Sequence, residues 1–334
     1  MTAPAADISL ETMLAALDAD LRRAVEALRG EREGLWEMAS YAMGWAGEGT
    51  GPETTGKRIR PLLSLLSCGA CGGDWRKALA PACAVELIHS FSLIHDDIQD
   101  DAATRRGRPS VWNRYGRAQA INAGDAVFTL AFSALADSDP PHAPDWLRIL
   151  SATCVRLTYG QYLDLAYASA GEITRAQYLE MIGGKTAALV EAACRLGAVS
   201  ADAGGARGDA FGRFGRALGL AFQIQDDYLG VWGDPELTGK PVGADLLARK
   251  KGLPALYGLE GSEKFRSLFA RDPAPAEVPA LLAELEVCGA KQRVLGEARE
   301  WTGRAFDALR AGTPQGAFGP ELERLARELL SRRK

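Results

Sequence analysis

The stretch from Lys77 to Asp101 is long and mostly apolar, and it closes on four aspartates, Asp96, Asp97, Asp100 and Asp101. It reads as a buried helix that ends in charge. A helix this apolar has to be covered by other helices. "RIRPLLSLLSCGAC" reads as another buried helix, entered through a proline in its first turn. "AQAINAGDAVFTLAFSALAD" is a third; Leu147 to Ala168, Arg175 to Val199 and Asp209 to Trp232 continue the pattern, and the C-terminal third is helical. No convincing alternating strand is visible. Hydrophobic residues make up 47% but aromatics only 7%, which favours helices on helices over a β-sandwich. "SADAGGARGD" reads as a turn and "GDPELTGKPVGADLLARKKGLP" as a functional loop. The sequence therefore predicts a single all-α domain over residues 1–334, with no linker long enough to divide it.

Composition removes several functions. The formal net charge is −4, so a nucleic-acid partner is not expected. The N-terminus "MTAPAADISLETML" lacks a basic region followed by an apolar run, and no membrane span is expected. "CGAC", Cys68 to Cys71, is a lone CxxC without a second pair or a histidine at metal spacing, so it reads as small residues at a helix end. Six cysteines without a disulfide framework point to a reducing cytoplasm.

The chemistry lies in the charges. Asp96, Asp97 and Asp100 sit at i, i+1 and i+4, so Asp96 and Asp100 share a helical face and Asp97 flanks them. Like charges so placed repel, and negative charge at a helix C-terminus opposes the macrodipole. The arrangement is echoed in "FQIQDDYLGVWGD", where Asp226 and Asp227 again end a long apolar helix. One such segment could be a solvated face; two call for a cation. Carboxylates without His or Cys suit Mg²⁺, which completes its shell with water and phosphate oxygens. Basic residues follow in "TRRGRP", "GKRIRP", "GGKTAAL" and the Lys240 to Lys251 segment, as a diphosphate would require.

These segments, "GKRIRP", "ELIHSFSLIHDDIQDDAATRRGRP", "GGKTAAL", "FQIQDD" and "GKPVGADLLARKKGLP", in this order from about Gly56 to Pro254, resemble the trans-isoprenyl diphosphate synthases. The resemblance implies an all-α fold around a deep pocket, usually a homodimer, and about three Mg²⁺ ions bound by Asp96, Asp97, Asp100, Asp226 and Asp227. It implies that Lys57, Arg60, His89 and Arg106 bind isopentenyl diphosphate. Arg105, Lys185, Gln223, Lys240 and Lys250 would hold the allylic diphosphate, with Thr186 near the cation that its ionisation leaves. His95 reads as structural. The chain departs from the family pattern at Gly230, where a third aspartate is usual, and at Gly252, usually threonine. Asp234 or Asp245 could supply charge near the metal, and Gly230→Asp is expected to change activity only modestly.

The implied reaction condenses isopentenyl diphosphate with allylic diphosphates. A terpene cyclase on the same fold would need no second diphosphate site, and a non-catalytic partner subunit should have lost an aspartate segment. Phe91 and Ser92 precede Asp96 by five and four residues, so they lie roughly 6–8 Å back along the helix. In the family these positions form the floor for the growing chain. One aromatic at the earlier position resembles geranylgeranyl synthases, with a farnesyl product as the alternative. Phe128 or Phe132 could instead set the floor.

Overall fold

A computed structural model describes residues 9–138, 141–239 and 241–331. The chain forms two compact units. The first comprises residues up to Ala152, together with Ala192–Asp209 and Thr313–Gly319. The second comprises Thr153–Glu191, Ala210–Gly312 and the segment from Pro320.

In the first unit lie helices α1 (Leu10–Glu26), α2 (Glu33–Ala42), α3 (Pro52–Thr55), α4 (Ile59–Ala70), α5 (Leu79–Gln99), α6 (Val111–Tyr115) and α7 (Arg117–Ala136), and the start of α8 (Ala143–Ser169). Helix α5 packs most extensively on α7 and also contacts α1 and α4. It begins two residues later than the sequence predicts, because Trp75–Ala78 form a 3₁₀ turn in which Arg76 N donates to the Asp74 side chain. The segment Trp75–Gln99 is long and apolar enough to cross a membrane by composition alone, but 61% of its most apolar window is buried in the protein. That is the behaviour of a core helix.

The all-α expectation holds, with one minimal two-stranded ladder. Thr104–Arg105 (β1) pairs antiparallel with Arg108–Pro109 (β2). The two turn residues, Arg106 at φ 52° and Gly107 at φ 74°, have the paired positive φ of the tight hairpin turn that matches strand twist. A two-residue ladder leaves no alternation to detect.

The second unit continues α8 and adds α9 (Arg175–Ile182), the start of α10 (Ala188–Ser200), most of α11 (Gly205–Trp232), α12 (Pro235–Thr238), α13 (Ala244–Leu247), α14 (Leu253–Gly261), α15 (Glu263–Phe269), α16 (Val278–Val287), α17 (Ala290–Ala311) and most of α18 (Phe318–Leu330). The end of the expected turn "SADAGGARGD" is already helical, since α11 starts at Gly205. The expected loop after Trp232 carries the short helices α12 and α13.

The expected single helix from Arg175 to Val199 is interrupted. Helix α9, opened by a Thr174–Gln177 capping box, gives way to a π-helical turn over Gly183–Ala187 before α10 resumes. Single π turns of this kind are often found at functional sites. Here the cause is a backbone-to-backbone approach. A Cβ on Gly160 of α8 would lie 2.0 Å from Lys185 N, and one on Gly184 would lie 2.6 Å from Arg156 O. On α11, a Cβ on Gly219 would lie 2.6 Å from Ala187 Cα. Lys185 and Thr186 are thus held between two helices at distances that only glycine permits. Gly160→Ala should force the turn away from α8. We expect a stability loss of about 1–3 kcal/mol or more, the usual cost of overpacking, read from denaturant unfolding. A variant as stable as the parent would show that this approach is not tight.

Candidate active site

In the first unit the acidic segment divides by exposure. The Asp97 side chain is only 4% exposed, whereas Asp96 is 20% exposed and Asp100, at the end of α5, is exposed. The Asp97 carboxylate is enclosed by Arg105, whose Nε donates to Oδ1 at 2.9 Å. Arg105 Nη2 also reaches Asp97 Oδ1 and lies 3.6 Å from Asp96 Oδ2. Burial pushes the Asp97 carboxyl above its ordinary range, and Arg105 works against that shift. The β1–β2 hairpin folds the basic run back onto the acidic one. One acidic and one basic residue of the run thus neutralise each other inside the fold.

The same hairpin carries Arg106 to a second cluster. Arg106 Nη1 donates to Thr54 O at 2.7 Å, and its guanidinium fills the space where a Cβ on Gly56 would stand, 2.6 Å from Nη2. Gly56 has φ +78°, so both conformation and space require glycine at the head of "GKRIRP". Arg60 Nη1 lies 3.3 Å from His89 Nε2; since a guanidinium can only donate, His89 accepts there and carries its proton on Nδ1. Lys57 is exposed. Arg58 takes a left-handed backbone, φ 48°, and its side chain, 9% exposed, pairs with Glu86, 4% exposed. Glu86 is a further site residue that sequence reasoning missed. Its only signal was an acid inside the apolar run "CAVELIHS", where a charge must find a partner.

Phe91 is half-buried and packs edge-on to His95, with ring centres 4.8 Å apart. It also packs on Phe128 at 4.8 Å, which in turn meets Phe132 at 5.1 Å. The positions weighed as rival floors form one aromatic row. Ser92 Oγ donates to His89 O at 2.8 Å, so its hydroxyl is satisfied locally and the residue presents little bulk. His95 Nε2 lies 3.3 Å from Ile121 O, and its ring covers Gly124, in accord with a structural role.

In the second unit the partition repeats. Asp226 is exposed, while Asp227 is 2% exposed. Asp227 Oδ1 accepts from Gln223 Nε2 at 3.0 Å and Lys250 Nζ at 2.8 Å; Oδ2 accepts from Tyr178 Oη at 2.8 Å and Leu253 N at 3.3 Å. A carboxylate offers about four lone-pair sites, so this one is fully used. A Cβ on Gly252 would stand 2.7 Å from Asp227 Oδ2, so the buried carboxylate occupies the space beside that glycine. Gln223 Oε1 accepts from Thr186 Oγ1 at 2.8 Å. Lys185 Nζ pairs with Asp164 Oδ2 at 2.5 Å. Burial opposes the charge of Lys250, but Asp227 and Asp245 outweigh it and hold the ammonium well above its usual range. Tyr178 and Asp164 are also residues that the sequence reading missed, because each sits in helical sequence without a motif of its own. Lys240 lies outside the described residues.

Among the described residues no group of three or more His, Cys, Asp or Glu side chains comes together as a ready-made metal site. That donor set fits Mg²⁺ better than zinc or iron, because Mg²⁺ takes few carboxylates and fills its shell with phosphate oxygens and water. The cysteines offer nothing to it. Burial raises the Cys68 thiol to about 12 and the Cys71 thiol to about 11, so "CGAC" holds inert thiols.

Burial, and then the charges of Arg60, Arg106, Arg58 and Arg105, hold His89 well below its ordinary 6.5. The unfolded chain therefore binds a proton near pH 6.5 that the folded chain refuses until lower pH. Stability should be fully present above that pH and fall as pH drops through the window below it. His89→Gln should flatten the acid side of a stability–pH profile between about 6.5 and 5, by up to about 1.4 kcal/mol per pH unit. Unfolding curves at stepped pH give the slope, and an unchanged slope would show that His89 titrates normally.

The family model described as polyprenyl synthetase matches residues 51–285. The chain is 41% identical to a geranylgeranyl diphosphate synthase of Mycobacterium tuberculosis, over 94% of this chain and 90% of that one. It is 40% identical to a (2E,6E)-farnesyl diphosphate synthase of Mycobacterium bovis, covering 88% and 85%. It superposes on the crystal structure of a polyprenyl synthetase from Streptomyces coelicolor A3(2) with a TM-score of 0.87 and 34% identity, covering 96% and 98%. With a family model that matches well over half of it and relatives alike along most of its length, the chain belongs to the polyprenyl synthetase family.

Proposed function

We propose that this chain is a short-chain trans-prenyltransferase that condenses isopentenyl diphosphate with an allylic diphosphate, chiefly to geranylgeranyl diphosphate. The observation that carries the reading is the repeated pairing of an accessible aspartate with a buried, clamped one. Prenyl synthases of this family generally depend on Mg²⁺, and about three ions are expected by resemblance. Asp96, Asp100 and Asp226 would hold them. Asp97 and Asp227, which the resemblance also counts among the ligands, would instead anchor the segments from which the ligands project.

Bound Mg²⁺ would supply charge stabilisation for the departing diphosphate. The protein's own groups do the rest. Lys57, Arg60, Arg106 and the Nδ1–H of His89 grip the diphosphate of isopentenyl diphosphate. A neutral histidine there donates one hydrogen bond without adding to the repulsion among the arginines. Lys185 and Lys250, with Lys240 and Gln223, hold the allylic diphosphate. Arg105, committed to Asp97 by two nitrogens, serves that diphosphate mainly by holding the acidic segment in place. Thr186 gives its hydroxyl hydrogen to Gln223, so its oxygen lone pairs are available to the allylic cation. We place the enzyme in the cytoplasm, as a homodimer.

Asp96→Asn and Asp226→Asn should abolish Mg²⁺-dependent turnover while leaving the melting temperature near the parent's. Asp227→Ala should instead destabilise the protein, because it leaves the buried hydroxyl of Tyr178 and the amide of Leu253 without their acceptor; each such buried donor costs about 1–3 kcal/mol. Parental turnover in Asp96→Asn and Asp226→Asn would overturn the metal assignment.

The aromatic row supports the product length. Phe91 is backed by Phe128, so it can act as a floor that does not yield to a growing chain. Phe91→Ala should lengthen the product by at least one isoprene unit, and Ser92→Phe should shorten it toward farnesyl diphosphate. Chromatography of the products from isopentenyl diphosphate and each allylic primer reads both. An unchanged product distribution in both variants would move the floor elsewhere.

A further inference from the structure

Basic residues without a place in either diphosphate site gather elsewhere in the second unit. A groove of about 420 Å³ runs between the first half of α11 and the second half of α17. Arg213 and Arg216 line it from α11, and Arg304 lines it from α17. Three guanidinium groups share one cleft in a chain whose formal net charge is −4. Like charges so grouped repel, so the arrangement calls for an anion. Arg213 and Arg216 precede Asp226 by 13 and 10 residues, roughly 15–20 Å back along the helix. The groove is therefore separate from the second acidic segment.

The acids nearby are mostly spent on other partners. Arg213 is exposed, and among the described residues it pairs with none. Arg216 reaches Glu191 only at 3.5 Å, and Arg156 already holds that carboxylate at 2.8 Å. Asp307, the one acid lining the groove, is paired with Arg310. Arg304 keeps an ion pair with Glu300 and lies over the Trp301 ring, 4.5 Å from its centre. Trp301 also lines the groove, and its Nε1 is buried without an acceptor. Ala217 and Ala308 leave the space between the helices open and apolar. That space is many times the ~30 Å³ of one water.

We propose that this groove is a further anion site, and that it takes a diphosphate group. Guanidinium forks match phosphate oxygens in pairs. Three of them suit an anion with more than one charge and more than one phosphoryl group. The alanines and the Trp301 ring accept an uncharged continuation, so free diphosphate and the diphosphate end of an isoprenyl chain share the recognised chemistry. The arginines supply the positive charge themselves, so binding here needs no metal, and the inference does not depend on the metal reading of the aspartates. The site also adjoins the catalytic turn. A Cβ on Gly183 would lie 3.5 Å from Arg216 Nη2, and Gly183 opens the π turn that bears Lys185 and Thr186. The groove and that turn share one side chain.

Trp301 serves as the reporter in the test. The full-length protein, in EDTA and without isopentenyl diphosphate, is titrated with inorganic pyrophosphate at constant ionic strength while tryptophan fluorescence is followed. A second arm uses farnesyl diphosphate. The same titrations of Trp301→Phe are subtracted, which removes the other tryptophans and ligand bound elsewhere. A saturable Trp301 signal is expected. Arg213→Ala breaks no contact of the fold, so it should keep the parental melting temperature. It should raise the half-saturating concentration about tenfold or more, the worth of a charge-assisted hydrogen bond, and Arg213→Glu should remove the signal. Lys57→Ala, which alters the isopentenyl diphosphate site, should leave the signal as in the parent. A lower midpoint for farnesyl diphosphate would identify a chain-borne diphosphate as the occupant, and a lower midpoint for pyrophosphate the free anion; both uphold the site. Three results would overturn it: no saturable Trp301 signal or an equal one with sulfate, an unchanged midpoint in both Arg213 variants, or a signal lost in Lys57→Ala.

Discussion

Asp227 has four donors arranged around two buried oxygens, and the second acidic segment depends on that arrangement. A buried carboxylate is tolerated only when its lone pairs are taken and its charge is met. Gln223 comes from the previous turn of the same helix, Tyr178 from α9, Leu253 N from the start of α14 and Lys250 from the segment between α13 and α14. Four pieces of chain are thus referred to one atom group. The neighbouring Asp226, on the same turn of α11, inherits that fixed backbone and stands exposed. The same logic, with fewer partners, operates in the first unit, where Arg105 holds Asp97 and leaves Asp96 and Asp100 on the accessible side of the segment.

Glycine sets the second constraint. The π turn that carries Lys185 and Thr186 can approach α8 and α11 only because residues 160, 184 and 219 lack side chains. The guanidinium of Arg106 fits over Gly56 for the same reason. Charged and polar groups are placed by letting backbones come within contact distance, which gives a more rigid reference than side-chain packing, because no rotamer can relax it. The cost is local. Such positions tolerate almost no substitution, whereas the exposed ends of the lysines do.

Much of this was legible in the sequence, and the reasons differ by residue. The long helices were readable because burial imposes composition over many residues, as in Lys77 to Asp101. The charged motifs were readable because repulsive aspartates demand an explanation. The hairpin at Arg106–Gly107 was not, since two residues per strand show no period. The π turn was not, because its cause lies in glycines on helices far away in sequence. Glu86, Asp164 and Tyr178 were missed for a related reason: their partners, Arg58, Lys185 and Asp227, are 28, 21 and 49 residues distant. A motif shows which residues carry charge but not which of them are already spent on one another.

That distinction bears most on doubled aspartates. Adjacent residues on a helix differ by about 100° in direction, so in an Asp-Asp pair only one can face the accessible side when the other faces the core. The pair is then not two copies of one ligand. The inward member is tied to a basic group from downstream, Arg105 in one unit and Lys250 in the other, and that tie carries the segment's orientation. Asparagine at the inward position would keep its size and some of its hydrogen bonds but not its charge. It would leave a guanidinium or ammonium under-compensated beside the outward aspartate. The inward aspartate thus takes the main charge of the downstream cation, even where that cation also reaches the outward carboxylate, as Arg105 reaches Asp96 at 3.6 Å.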